Sequence, residues 1–125
     1  MAKKKKATVD PFEELDRIFH EKARLGILSC LVGVAEGMNF RDLKDVCGLT
    51  DGNLNRHLKV LLDSKVLSVE KSGQGRNTNS HYRLTATGRR AFEQYLGALE
   101  SLVKKAKKNA VDGARLRGND GLAGV

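Results

Sequence analysis

The side chains best suited to a chemical task lie on one predicted helix, residues 51–64. A leucine stripe occupies one face of this helix, and the opposite face carries Gly52, Arg56, Lys59 and Asp63. Asn53, Asn55 and His57 flank that face near the N-terminal end of the helix. Asparagine amides can bond adenine edges, arginine can bond guanine edges or phosphates, and a glycine lets the backbone come close to a ligand. The pattern therefore fits the major groove of DNA. The alternative is an ordinary solvated face of an amphipathic helix.

A second set of hydrogen-bond donors lies in the polar segment Ser72–Ser80, between two short stretches with strand-like alternation. Those stretches, Val66–Lys71 and His81–Leu84, predict a β-hairpin with a long tip. No acidic residue interrupts the donors, which suit phosphate or minor-groove contacts, although a Gly-rich loop is also polar for solubility alone. The donors are Lys71, Gln74, Arg76, Asn77, Thr78 and Asn79.

The charge distribution favours a polyanionic partner for this part of the chain. The 125 residues carry a net charge of +8, and residues 52–92 hold eight basic residues against two acidic ones. The Lys-rich N-terminus, Lys3–Lys6, and the basic C-terminal segment add to this field. DNA binding is thus the better account of the helix and the hairpin together.

Catalysis finds little support in the sequence. His20, His57 and His81 lie far apart without an i, i+4 partner, so we expect no metal site and no cofactor. Gly73-Gln74-Gly75 lies in the predicted hairpin and precedes no helix, so it is not a phosphate-binding loop. Cys30 and Cys47 are expected to be buried structural thiols, with a redox or metal-sensing role left open.

Helical elements surround these candidate sites. Asp10-Pro11 opens a first helix that extends to about His20, and a strongly apolar second helix covers Glu21–Glu36 and ends at Gly37. Asn39 caps a short third helix that ends near Gly48, and Thr50 caps the fourth. A short helix, a tight turn and a polar-faced second helix form the helix-turn-helix pattern. The inward positions of the fourth helix are Leu54, Leu58, Leu61 and Leu62.

The last predicted helix begins after Thr85 and ends near Lys108, with an apolar seam repeating in steps of three and four residues. This seam can pack on the protein's own core or against a second subunit. A dimer is favoured, because the first four helices and the hairpin already close a small core, and it would present two recognition helices about 10 bp apart. The predicted dimer interface consists of Phe12, Leu15, Ile18, Phe19, Phe92, Tyr95, Leu96, Leu99, Leu102 and Val103.

The length predicts one domain with tails. Residues 1–9 are expected to be a disordered basic leader, residues 10–108 the folded domain, and residues 109–125 a disordered tail. No run of about 18 apolar residues occurs, so no membrane partner is expected and a cytoplasmic location is the default.

Two stretches resemble the winged-helix transcriptional regulators, in particular the small prokaryotic group related to the MarR and ArsR families. They are LTDGNLNRHLKVLLDSKVLSVEK, from Leu49 to Lys71, and HYRLTATGRRAFEQYL, from His81 to Leu96. The segments LDRIFHEKARLGILSCL and MNFRDLKDVCG, upstream, match the same group, so the resemblance covers residues 10–103. The paired-cysteine metal motif of metal-sensing ArsR-type members does not precede the fourth helix.

The resemblance implies a mostly helical α+β fold, a winged helix-turn-helix with additional N- and C-terminal dimerisation helices. Thr50–Ser64 would be the recognition helix and Ser72–Ser80 the wing. The implied function is that of a homodimeric, sequence-specific regulator, more typically a repressor, binding double-stranded DNA. The resemblance does not indicate which small-molecule effector, if any, sets its activity. A protein-interaction module and a non-specific architectural DNA binder are the alternatives. The implied DNA contacts are Arg41, Thr50, Asp51, Gly52, Asn53, Asn55, Arg56, His57, Lys59, Lys71, Arg76, Asn77 and Thr78.

Overall fold

The computed structural model describes residues 12–124, except for the side chains of Asn77 and of residues 115–124. The predicted leader and the Asp10-Pro11 cap therefore lie outside the described residues. The chain divides into two compact units, Met1–Glu93 and Gln94–Val125. In chain order the elements are α1 (Glu13–Phe19), α2 (Lys22–Val32), β1 (Met38–Asn39), α3 (Phe40–Cys47), α4 (Asp51–Asp63), β2 (Leu67–Ser72), a 3-10 turn (Gly75–Asn77), β3 (Asn79–Leu84) and α5 (Ala86–Gly124).

The second helix is shorter than the sequence predicts. Helix α2 starts after Glu21, whose carboxylate accepts the N–H groups of Ala23 and Arg24, and it ends at Val32 rather than near Glu36. The Val34 N–H bonds to the Leu31 carbonyl, and the Gly37 N–H bonds to the Val34 carbonyl. These tight turns break the helix and lead the chain into a strand, so the periodicity of the apolar residues overstates the helix.

A three-stranded antiparallel sheet has the order β1-β3-β2. The hairpin β2–β3 runs in register from Leu67 opposite Leu84 to Ser72 opposite Asn79, as the sequence predicts to within two residues at each end. Strand β1 is not predicted by the sequence, because two residues are too few to show alternation. It pairs Met38 with Tyr82, and this pairing attaches the start of α3 to the central strand.

The core of the first unit lies where the faces of α2, α4 and the hairpin meet. The stripe on α4 contributes Leu54, Leu58 and Leu61, all buried, while Leu62 is only half-buried. Phe19 at the end of α1 and Phe92 in α5 are fully buried and pack edge to face, with ring centroids 5.4 Å apart. The other buried apolar residues of this unit are Ile27, Leu28, Leu31, Leu43, Val66, Leu67, Tyr82, Leu84 and Ala91.

Burial corrects part of the predicted dimer interface. Phe19 and Phe92 are core residues with no exposed surface, and Tyr95 is also buried, so none of the three is available to a second subunit. Helical spacing cannot separate a seam facing the protein's own core from one facing a partner, and here the two overlap. The remaining members keep exposed or half-exposed side chains: Phe12, Leu15, Ile18, Leu96, Leu99, Leu102 and Val103.

Helix α5 continues to Gly124 rather than ending near Lys108. The backbone is thus helical through the segment predicted to be a disordered tail. Lys108 and Asp112 form an ion pair at 3.5 Å, with the i, i+4 spacing that supports a helix. Between them lies Ala110, and alanine is the residue type with the highest helix propensity. Glycine content alone was a poor guide to where this helix ends. The proposed division into leader, domain and tail otherwise remains a prediction.

Candidate nucleic-acid interface

A short helix, a three-residue turn and a second helix form the centre of the candidate interface. Asn39 caps α3 by accepting the Asp42 N–H at 2.7 Å, and Thr50 caps α4 by accepting the Asn53 N–H at 3.1 Å, both as predicted. Gly48 ends α3 with φ 65°, a left-handed conformation that glycine adopts without a Cβ penalty. Gly48 and Thr50 thus fix the turn by local chemistry, and the turn holds the two helices in the helix-turn-helix arrangement.

The face of α4 opposite the leucines is exposed. Arg56 is not held in a salt bridge within the part of the chain that the structure describes. Lys59 lies 3.4 Å from Asp63, but both side chains are solvent-exposed, so the pair is weak and can open for a ligand. Asp51 is engaged by Lys44 at 2.9 Å. The exposed residues of this face are Asp51, Gly52, Asn53, Asn55, Arg56 and Lys59.

The hairpin extends from the same unit and carries exposed donors at its tip. Lys71, Arg76 and Thr78 are exposed, and the predicted contact Asn77 belongs to the 3-10 turn. The Thr78 hydroxyl donates to the Gly75 carbonyl at 2.8 Å, which closes this turn. The tip is therefore shorter than the predicted loop, because the strands extend to Ser72 and Asn79 and a hydrogen-bonded turn joins them.

Residues from α3, α4 and the hairpin converge on one cleft of about 430 Å³. Arg41, Asn55 and Lys71 were predicted separately as DNA contacts, and the structure brings them together here with Thr78. The cleft is also lined by Phe40, Ser80 and Tyr82, which are not predicted from the sequence as contacts. Alternation along β3 could have indicated Tyr82. Two cations, together with neutral amide and hydroxyl donors around a partly apolar floor, suit a nucleic-acid backbone.

His57 is the one predicted α4 contact that the structure contradicts. Its side chain is only 3% exposed, so it faces inward and cannot reach DNA. Position 57 lies between Leu54 and Leu58 on the helix, at the edge of the buried stripe, where the packing of α2 covers it. The Arg24 Nη1 donates to His57 Nδ1 at 3.3 Å, and Glu21 Oε1 lies 4.0 Å from Nε2. Since arginine only donates, the neutral ring carries its proton on Nε2.

These contacts fix α4 against the start of α2. The Arg24 Nε donates to the Ile18 carbonyl at 2.8 Å, so one guanidinium joins the end of α1 to α4. Desolvation raises the pKa of the Glu21 carboxyl. The backbone N–H groups of Arg24 and Ala23, with the charges of His57 and Arg24, outweigh it and hold that pKa below its ordinary value. The cluster of Glu21, Arg24 and His57 is formed by tertiary packing, so no local sequence pattern predicts it.

We expect the stability of the protein to fall as the pH drops below about 6.5, through His57. Burial is the largest influence on the pKa of His57 and lowers it. The negative charge of Glu21 acts to raise this pKa, and the positive charges of Arg56 and Arg24 lower it further. The unfolded chain then takes up a proton at a pH where the folded chain does not, so the stability is full above about pH 6.5 and is lost below it. His57→Gln should flatten this slope in urea unfolding between about pH 6.5 and 5.

His20→Gln is the matched control, because it makes the same change at an exposed position in the segment between α1 and α2. It should keep the wild-type slope. If His57→Gln and the wild type lost stability in parallel, the buried imidazole would not be the group responsible.

Within the residues that the structure describes, no group of three or more His, Cys, Asp and Glu side chains could hold a metal ion. No described helix combines the length and the apolar character needed to cross a membrane.

Comparisons with known proteins agree with this geometry. A family model described as a winged helix DNA-binding domain matches residues 23–103. An uncharacterized protein of Methanocaldococcus jannaschii is 35% identical over 88 residues, which cover 70% of this chain and 95% of that protein.

Two solved structures share the fold. The MepR–DNA complex of Staphylococcus aureus is 16% identical, with a TM-score of 0.62 over 94% of this chain and 91% of that chain. The homodimeric winged helix-turn-helix DNA-binding domain of Mb0332 from Mycobacterium bovis is described as a possible ArsR-family transcriptional regulator. It is 16% identical, with a TM-score of 0.63 over 81% of this chain and 89% of that chain.

Proposed function

The chain belongs to the family of winged helix DNA-binding domains, and from this premise we propose that it is a homodimeric, sequence-specific transcriptional repressor. The family is described as a winged helix DNA-binding domain, and the proposed role is regulatory and not enzymatic. The single observation that carries the proposal is the exposed face of α4 beside the cleft of Arg41, Asn55 and Lys71. By occupying a two-fold operator in the cytoplasm, the dimer would block the polymerase.

The proposed division of labour follows the geometry of the elements. The exposed face of α4 enters the major groove and reads base edges, and the hairpin contacts the backbone or the minor groove beside it. The N–H groups at the start of α4 add a site for a phosphate. The proposed contacts are Arg41, Thr50, Asp51, Gly52, Asn53, Asn55, Arg56, Lys59, Lys71, Arg76, Asn77 and Thr78.

Dimerisation through the terminal helices is supported by exposed apolar side chains on α5. Leu102 is 63% exposed and Val103 is 43% exposed. Apolar groups left in water at adjacent positions favour an interface. The homodimer formed by the related domain of Mb0332 supports the same assembly. Two copies of α4 would then meet successive major grooves, about 10 bp apart.

The proposal is tested by fluorescence anisotropy with DNA from upstream of the protein's own gene, against a scrambled duplex and across a salt series. A specific regulator binds its operator at least about 10³-fold more tightly than the scrambled duplex, with a log–log salt slope of several units. Equal affinities would mean an architectural binder, and no binding at low salt by the folded dimer would mean a protein-interaction module. Either result would overturn the proposal.

In the same assay, Arg56→Ala should weaken operator binding by about 1–3 kcal/mol and reduce the preference over the scrambled duplex. Arg56 is the exposed guanidinium of α4, and a bidentate contact to a guanine gives that amount of discrimination. Arg90→Ala is the matched control, since Arg90 is an exposed arginine on α5 outside the proposed interface. A variant Arg56→Ala that bound like Arg90→Ala would remove Arg56 from base reading.

A further inference from the structure

The two cysteines of the chain meet in a cleft separate from the DNA interface. This cleft has a volume of about 530 Å³ and lies between α2 and α3. Cys30 comes from α2 and Cys47 is the last residue of α3, and both are half-buried. The cleft shares no lining residue with the cleft of Arg41 and Lys71. Two thiols that are 17 positions apart in sequence (47 − 30) are therefore brought to one accessible surface.

The surroundings of the thiols are mostly apolar. Ala23, Gly26, Val46 and Leu49 line the same cleft. Burial raises the pKa of Cys47 to about 11, and the neighbouring Cys30 thiol, which hydrogen-bonds to it, contributes to the increase. Two adjacent thiols in a mostly apolar cleft suit a ligand that forms strong bonds to sulfur.

The two thiol groups restrict which kinds of ligand can bind here. Thiolates prefer soft metal ions such as Cu(I), whereas structural zinc requires four ligands. Within the part of the chain that is described, no third cysteine, histidine or carboxylate completes a metal-binding group. Glu21 also borders the cleft, and its Oε1 accepts the N–H groups of Ala23 and Arg24. A soft ion that accepts two ligands fits this pair.

We propose that Cys30 and Cys47 form a two-thiolate site for a soft monovalent metal ion of the Cu(I) type. Binding forms two metal–sulfur bonds and releases two protons, one from each thiol, without a change of oxidation state. The product carries one net negative charge, and Lys22, which also borders the cleft, supplies a positive charge of the sign that would offset it. The ion would join α2 to the end of α3, next to the turn that leads into α4.

The test uses the full-length, reduced protein without oxygen and Cu(I) held by a coloured chelator. The wild type should remove one ion per chain from the chelator. Cys30→Ser and Cys47→Ser should each lower the affinity by at least about 100-fold, because each removes one of two ligands. Met38→Leu is the control, since it removes a soft sulfur side chain outside the cleft, and it should bind like the wild type.

Two further measurements keep the result interpretable. Circular dichroism must show the same helix content in all variants, and Cys47→Ala replaces Cys47→Ser if the hydroxyl disturbs the packing. Calorimetry in buffers of different ionisation enthalpy should give two protons released per ion. Wild-type affinity for copper in either cysteine variant, one ion per two chains, or no transfer from the chelator to the wild type would each overturn the proposal. None of these readouts depends on DNA binding, so the site and the proposed regulator role can fail independently.

Discussion

Gly88→Ala should lower the free energy of unfolding by about 3 kcal/mol or more, at the upper end of the range for overpacking. A Cβ at this position of α5 would lie 2.2 Å from the carbonyl oxygen of Val66. That oxygen belongs to the backbone and cannot rotate away. Thr85 holds the same loop by donating its hydroxyl to the Lys65 carbonyl at 2.8 Å. The only relief is to move α5 away from the segment that joins α4 to β2.

Urea unfolding with Gly97→Ala as the matched control tests this result. Gly97 is on the same helix, and a Cβ there meets nothing within 4 Å, so alanine should raise the stability by up to about 1 kcal/mol through helix propensity. The two substitutions are chemically identical, but their effects on the free energy of unfolding should have opposite signs. Equal effects would show that the contact between Gly88 and Val66 is not close in solution.

Phe92→Ala should cost about 3–5 kcal/mol of unfolding free energy, the usual range for a buried phenylalanine. Phe92 has no exposed surface, and its ring meets that of Phe19 at an interplanar angle of 79°, a favourable edge-to-face geometry. Alanine would leave a cavity and remove this contact between α1 and α5. Phe92→Leu should lose less unfolding free energy, because leucine keeps most of the volume of the buried side chain.

Two controls define the origin of the loss. Glu93→Ala, at the next and exposed position, should stay within about 0.5 kcal/mol of the wild type. The destabilisation by Phe92→Ala should not depend on protein concentration, because Phe92 lies in the core of one chain. A loss that vanished at high concentration would instead place Phe92 in the subunit interface, since dimer stability follows mass action.

Local chemistry made the helix-turn-helix and the hairpin predictable from the sequence. Asn39 and Thr50 cap their helices, and Gly48 ends α3, because each acts through its own side chain or backbone on the next few residues. Thr85 likewise accepts the Gly88 N–H at 2.9 Å at the start of α5. The resemblance to winged-helix regulators is confirmed by the family that the chain matches.

Features that depend on distant contacts were not predictable. The inward position of His57 follows from Arg24, 33 residues earlier, and the burial of Phe92 follows from Phe19. An apolar or polar residue at the edge of a helical stripe gives no sign of which neighbour covers it. Strand β1 exists only because β3 supplies its hydrogen bonds, so no local pattern indicates it. The convergence of Arg41, Asn55 and Lys71 on one cleft is a result of the same kind.

The pairing of β1 with β3 has a consequence for the opening motions of the protein. Met38 and Tyr82 are 44 positions apart (82 − 38), and the segment between them contains α3, α4 and β2. The hairpin closes a shorter segment and does not need β1 to keep its register. Separation of two residues therefore detaches the start of α3 from the sheet, while the hairpin stays formed. The amide protons of β1 should exchange with solvent through this partial unfolding, more often than those of β2 and β3.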